Sequence, residues 1–307
     1  MNWEHALKDY QHYLNIERGL SKNSIKSYVL DLEKLVHFLN SKNLTDSPIA
    51  ISKGTVQRFI YELAQQVNPR SQARTISGLK SFFNYLIFED YRQDNPMELI
   101  ESPKVGRKLP DTLSETEINN LIGAIDLSKP EGERNRAILE TLYGCGLRVS
   151  ELLDLTLSDL YFEEDFIKVT GKGDKQRFVP ISKINKKYID IYRKEIRVHM
   201  PIQKGSEDIL FLNRRGRKLT RAMIFTIIKQ LAEKISLKKT ISPHTFRHSF
   251  ATHLLQNGAD LRAIQQMLGH ESITTTEVYM HIDRVHLGEV MQKYHPRKID
   301  PEEQSPQ

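Results

Sequence analysis

For about its first ninety residues this chain places an apolar side chain every three or four positions, and that repeat leaves little choice but packed helices. Trp3, Leu7, Tyr10 and Leu14 follow it, as do Ile25, Tyr28, Val29, Leu32, Leu35, Val36 and Leu39. Ser21 is a fair N-cap for the second of these helices, because its hydroxyl can accept from an amide that the helix leaves unpaired. A third helix is expected from about Lys53 to Gln66. A fourth begins after Pro69, with Ile76, Leu79, Phe82, Phe83 and Leu86 along one side. Helices with short connections bury their stripes against one another, so residues 1–90 are expected to form a four-helix bundle. The repeat then breaks in "RQDNPMELIESPKVGRKLPDTLS", which has three prolines and weak periodicity and reads as a linker over residues 91–110. A chain of 307 residues has room for two domains.

The second domain is expected over residues 111–296. "SETE" from Ser114 makes a capping box with Glu117 and starts a helix. Another helix spans about residues 132–143 and ends at the glycines of "YGCGLR". From Tyr161 the period shifts toward two: "DFIKVTGKGDKQRFVPIS" reads as strand, Gly-rich turn, strand. Helices resume near Lys183 and Arg221, then over residues 244–257 and 261–268, with a shorter piece at 274–279. The expected fold is therefore mainly α, an amino-terminal four-helix bundle plus an α-rich domain with a small antiparallel β-sheet. Near the carboxyl end Leu287, Val290, Met291 and Tyr294 lie at i, i+3, i+4 and i+7 on a helix ended by Pro296. A helix this short is marginal alone in water, so its stripe must dock, on its own domain or on a neighbour. Residues 297–307 read as a polar tail.

The net charge is +6 and the pI about 9.1. Between Lys168 and Arg221 sixteen Lys or Arg stand against five Asp or Glu. Such a concentration can bind a phosphate backbone, although solvated helix faces would also account for it. The amino-terminal domain is closer to balance, with fourteen basic and twelve acidic residues through Arg107. Cys145 is the sole cysteine, which excludes an intrachain disulfide and a multi-cysteine zinc site. The start "MNWEHALKDY" has no basic-then-apolar signal pattern, and no apolar run reaches the roughly 20 residues of a membrane helix. A soluble cytoplasmic protein without a membrane partner is the plain reading.

Four short stretches carry residues directed at an anion. "GCGLRVSELLDL" puts Arg148 just past two glycines at the start of a helix. "GKGDKQR" puts Lys172 in the hairpin turn. "HTFRHSFATHLL" sets His244 and Arg247 three apart, and "MLGHESITTTEVYMH" gives His270 after a glycine stop and Tyr279 nine residues on. Each has a bland explanation: Glu151 can pair with Arg148 across one turn, a Lys in a Gly turn is commonly solvated, His270 can cap a helix, and Tyr279 can be core. His244 and His248 stand four apart like metal ligands, but "TFR" between them lacks the Glu of the metalloprotease pattern, so no metal is expected.

Taken in order, "GLRxSEL", "GKGxKxR", "HxxRHxxATHLL" and "LGHxxxxTTxxY" resemble the tyrosine recombinase (phage integrase) family, and the full-length layout resembles its Xer branch, leaning to the D-like type. The match covers nearly the whole chain. The resemblance implies a helical core DNA-binding domain, a linker and a catalytic domain. It implies Arg148, Lys172, His244, Arg247 and His270 as activating residues and Tyr279 as the nucleophile, with no cofactor and no metal. The implied activity is site-specific cutting and rejoining of DNA through a 3′-phosphotyrosine, in Xer-type resolution of chromosome or plasmid dimers at cell division. A minimal integrase of a mobile element, a type IB topoisomerase and a DNA-binding module with a dead site are the competing readings. The implied partners are double-stranded DNA, homologous subunits in a synaptic tetramer, a paralogous subunit and a DNA translocase. The resemblance also favours docking of the carboxyl-terminal helix in trans, on the next subunit.

Overall fold

The computed structural model describes residues 1–104, 106, 111–269 and 280–297, with the backbone alone at Lys172 and residues 280–285. The chain divides into two compact units, Met1–Lys108 and Leu109–Gln307.

The first unit holds α1 (Trp3–Ile16), α2 (Lys22–Ser41), α3 (Lys53–Gln66) and α4 (Pro69–Phe88). Each starts on a side-chain cap: Asn2, Ser21, Ser52 and Asn68 accept the amides of His5, Ser24, Thr55 and Ser71. The apolar stripes read from the sequence meet in one core, in which Tyr10, Leu32, Leu35, Ile76, Leu79, Phe82 and Phe83 are fully buried. The segment after α4 begins by packing on this bundle. Met97 is buried in the core, and Arg92 donates to the Ile49 carbonyl at 3.0 Å.

The second unit begins with α5 (Glu115–Gly123), where Ser114 and Glu117 form the expected capping box. α6 (Pro130–Gly144), α7 (Val149–Asp154) and the short strand β1 (Leu160–Tyr161) follow. β2 (Phe166–Thr170) and β3 (Gln176–Pro180) complete a three-stranded antiparallel sheet in the order β1-β2-β3, with Val169 opposite Arg177 and Ile167 opposite Val179. α8 (Lys183–Ile191) runs on through a π turn, Tyr192–Ile196, and a 3-10 turn, Arg197–His199. α9 (Arg221–Lys234), α10 (Pro243–Gln256), α11 (Leu261–Leu268) and α12 (Met280–Tyr294) close the unit. The shorter piece expected at 274–279 and the tail beyond Arg297 lie outside the described residues. The core joins α6, α7, the sheet and α8–α12, with Phe246 and Phe250 of α10 fully buried in it.

Within the one chain, the stripe of α12 packs on its own unit. Leu287, Val290 and Met291 are buried in the core of their own unit. The chain supplies complementary polar partners there: Asn257 donates to the Tyr294 carbonyl at 2.7 Å, and Arg297 pairs with buried Glu140 at 2.9 Å. His295 is buried against the rings of Tyr143 and Phe250. An amphipathic stripe requires an apolar surface, and here its own unit provides one.

Candidate active site

The site is organised around a buried carboxylate. Arg148 is the N-cap of α7, and Glu151 stands at the third helical position, where it reaches back to accept the Arg148 amide at 2.8 Å. The Arg148 guanidinium closes on the same carboxylate at 2.6 Å. So the pairing expected from spacing is present, but Glu151 does more than pair once. Arg177 on β3 forks onto both of its oxygens, at 2.9 Å each, and Arg247 of α10 stands 3.8 Å away. The Glu151 side chain is only 2% exposed. Burial works against its charge, yet the Arg177 fork and the Arg148 amide and guanidinium outweigh it and hold the carboxyl below its usual range.

The same three arginines close the end of α11. Gly269 terminates that helix in the left-handed conformation, φ +66°, which leaves the last carbonyls without helical partners. Arg177 donates to the Met267 carbonyl at 2.8 Å, Arg247 to the Leu268 carbonyl at 2.5 Å, and Arg148 to the Gly269 carbonyl at 3.3 Å. Cations at a helix carboxyl end are favoured by the helix dipole as well. Arg247 also donates to the Gly146 carbonyl at 2.7 Å. That carbonyl is aimed by a second left-handed glycine, φ +58°, packed so closely on Phe250 that a Cβ would come within 2.5 Å of its ring. Burial first, and the Arg148 charge second, push the Arg247 guanidinium down to about 10, so it remains cationic at neutral pH.

Three guanidiniums against one carboxylate leave an excess of two positive charges in a mostly buried cluster. Arg148 keeps a third of its side chain in solvent, 33%, so the excess is reachable. Planar, permanently charged forks suit a phosphate.

His244 lies in the first turn of α10, exposed, one turn before the inward-facing Arg247. The two therefore sit on one side of the helix start, with the arginine buried and the histidine at the surface. Lys172 falls in the turn between β2 and β3, which the Gly171 amide closes onto the Lys175 carbonyl at 2.8 Å. His270 follows directly on Gly269, but it and Tyr279 lie outside the described residues. The spacing does not single out Arg177, although "GKGDKQR" contains it. Its signal is strand alternation: Arg177 shares a face with buried Val179, so the pattern puts a charge at an inward position. Burial pushes the Cys145 thiol up to about 12, which removes it as a nucleophile. Among the described residues no group of three His, Cys, Asp or Glu is arranged to hold a metal ion.

Residues 111–286 match the phage integrase family, and residues 7–90 match the phage integrase N-terminal SAM-like domain. The chain belongs to the phage integrase family of tyrosine recombinases. The recombinase is 43% identical over 295 residues to tyrosine recombinase XerD of Oceanobacillus iheyensis, across 96% of this chain and 99% of that relative. It is 41% identical over 293 residues to XerD of Listeria monocytogenes, across 95% and 98%. Its fold is similar to that of the XerH site-specific recombinase bound to palindromic difH substrate in a post-cleavage complex, with a TM-score of 0.68 and 25% identity over 93% of this chain and 83% of that one. It is thus a DNA-cleaving and rejoining enzyme of the Xer branch, similar to its D-like members.

Proposed function

We propose that this recombinase exchanges strands between two specific DNA sites through a 3′-phosphotyrosine at Tyr279, resolving chromosome or plasmid dimers. The observation that carries the reading is the Glu151 cluster, which holds Arg148 and Arg247 as a preformed cationic pair beside the carboxyl end of α11. Attack on a phosphodiester concentrates negative charge on the non-bridging oxygens, and donors already fixed in place stabilise that charge without reorganising. Arg148 and Arg247 take those oxygens, with His244 and His270 orienting the phosphate.

A tyrosine hydroxyl, with a pKa near ~10, is a weak nucleophile at neutral pH, and nearby cations favour its phenolate. Tyr279 passes its proton to His244 or His270, its oxygen bonds to phosphorus, and the bond from phosphorus to the 5′-oxygen breaks. That oxygen leaves as an alkoxide unless it is protonated, and Lys172 is the acid that supplies the proton. The product is a 3′-phosphotyrosine and a free 5′-hydroxyl. A 5′-hydroxyl from the partner duplex then attacks the phosphotyrosine in the reverse sense and frees Tyr279. One phosphoester replaces another at each step, so rejoining needs no ATP.

Residues 1–90 serve as the core DNA-binding domain, residues 91–110 as the linker and residues 111–296 as the catalytic domain. Most contacts fall on phosphates, with limited base readout. The partners are duplex DNA and homologous subunits in a synaptic tetramer, with a paralogous subunit and a DNA translocase as further partners. Among the described residues no helix is long and apolar enough to cross a membrane, which fits work on DNA in the cytoplasm.

The test is Tyr279→Phe on a suicide substrate nicked beside the cleavage position. The variant should bind DNA as the wild type does and give no covalent band on a denaturing gel. A protein–DNA band from Tyr279→Phe removes Tyr279 from the role. Supercoil relaxation by the wild type without exchange between two sites would favour a topoisomerase instead.

A further inference from the structure

Arg177 has all three of its guanidinium nitrogens engaged inside the cluster. Its Nε donates to the Met267 carbonyl at 2.8 Å, and Nη1 and Nη2 are both engaged by Glu151 at 2.9 Å. Its side chain is 14% exposed, against 33% for Arg148. It lies flat on Gly269, where a Cβ would come within 3.0 Å of Arg177 Cδ and 3.1 Å of Nε. Gly269 is therefore required twice, by its positive φ and by the arginine laid over it.

What Arg177 joins is more telling than what it touches. Through the ladder it stands opposite Val169, at the closed end of the hairpin, one residue pair from the turn that carries Lys172. The tip of that turn is exposed and has two residues at positive φ, Gly173 and Asp174. The Gly171 amide closes the turn onto the Lys175 carbonyl just before the strand. Short exposed turns of this kind move easily unless a foot is tied down. Arg177 ties this foot by two charge-assisted bonds to the carboxylate that also holds Arg148. Its third bond reaches the last turn of α11, three residues before His270. One side chain thus fixes the carriers of Lys172 and His270 to the group that organises the phosphate clamp.

We propose that Arg177 is a positioning residue for proton transfer to the leaving 5′-oxygen, acting by docking the Lys172 hairpin and the end of α11 onto Glu151. The proposal rests on the reading of Lys172 as the acid. A planar fork is what the role demands: two parallel bonds fix an angle as well as a distance, which a lysine at 177 would not do.

The experiment compares wild type, Arg177→Ala, Arg177→Lys and Lys172→Ala in single-turnover cleavage of two nicked suicide substrates. One has the natural 5′-oxygen, and the other has sulfur at that bridging position, which leaves without a proton. Half-site binding is measured alongside. Arg177→Ala should lose on the order of 10²-fold in cleavage of the oxygen substrate, the scale of a misplaced general acid, with binding nearly unchanged. On the sulfur substrate most of that loss should disappear, as it should for Lys172→Ala. Arg177→Lys should fall between the two on oxygen and match wild type on sulfur, and it carries the test if the alanine variant does not fold. A merely structural arginine would lower both substrates alike. Rescue of Lys172→Ala without rescue of either Arg177 variant overturns the positioning role alone. No rescue of Lys172→Ala overturns the acid assignment and this proposal with it. Wild-type cleavage of the oxygen substrate by Arg177→Ala also overturns it.

Discussion

Glu151→Gln tests whether the cluster is held by one charge. The amide keeps one acceptor oxygen, so if it stands where Oε1 does, the bonds from Arg148 Nη1 and Arg177 Nη1 survive. The bonds at Oε2, from the Arg148 amide at 2.8 Å and Arg177 Nη2 at 2.9 Å, are then lost, and an NH2 group faces two donors. Hydrogen bonds to a charged group are worth about 1.5–3 kcal/mol each, and breaking a buried ion pair from one side typically costs about 3–5 kcal/mol. The substitution also leaves three guanidiniums without a counter-charge, when Arg148 already pushes Arg247 down. We therefore expect a loss of about 3–5 kcal/mol, confined to the second unit. At about 2–4 °C per kcal/mol for a unit of this size, its midpoint should fall by roughly 6–20 °C. The single tryptophan, Trp3, sits in the first unit, donating to the Asp46 carbonyl. Its fluorescence is then an internal control: the thermal transition followed by circular dichroism should shift, and the one followed by Trp3 should not. Cleavage of the suicide substrate at a temperature where the variant is folded should drop by more than DNA binding does. A second-unit midpoint within about 2 °C of wild type, or energies of Glu151→Gln and Arg177→Ala that simply add, would refute the hub.

Two other perturbations probe the supports of the site. Gly146→Ala places a Cβ 2.5 Å from the Phe250 ring at φ +58°, so it should cost about 2–5 kcal/mol by backbone strain and overpacking, and it should weaken cleavage because the Gly146 carbonyl holds Arg247; an unshifted melting midpoint would contradict this. Buried His295 carries a pKa depressed to about 3, by burial first and the Arg297 charge second. Its contribution is complete above its unfolded value of 6.5 and is lost as pH falls toward 3, because only the unfolded chain takes the proton. Denaturant titrations at pH 7.5 and 5 should show a loss of about 2 kcal/mol in the second unit that His295→Phe removes; the difference isolates it from Glu140, whose carboxyl burial raises and which acts with the opposite sign. Equal pH slopes in both proteins would count against it.

What could be read without coordinates follows from what is local. The capping box at Ser114, the bounds of α3 and the stop of α11 at Gly269 depend on neighbours within four residues, and spacing reveals them. The π turn at Tyr192–Ile196 leaves no comparable mark, and a helical pattern passes over it. The carboxyl-terminal stripe announces that it must dock but carries no address. Leu287, Val290 and Met291 would suit any apolar surface, and within one chain they meet the core of their own unit, beside Asn257 and buried Glu140.

The Glu151 cluster lies between these cases. Spacing gives Arg148 its first partner, because three residues make one helical turn. It cannot give the second and third, since Arg177 and Arg247 arrive from a strand and a helix far along the chain. Yet a local clue was present at Arg177. A residue whose alternation points it into the core, and whose charge forbids it to be there alone, must meet an opposite charge or a set of carbonyls. Glu151 offers the same clue on α7, buried beside Leu152 and Leu153. Two inward-facing charges of opposite sign, each on an element next to a chemistry-bearing motif, point to each other before any fold is drawn. In this chain that pairing ties the hairpin, α7 and the end of α11 into one cationic site.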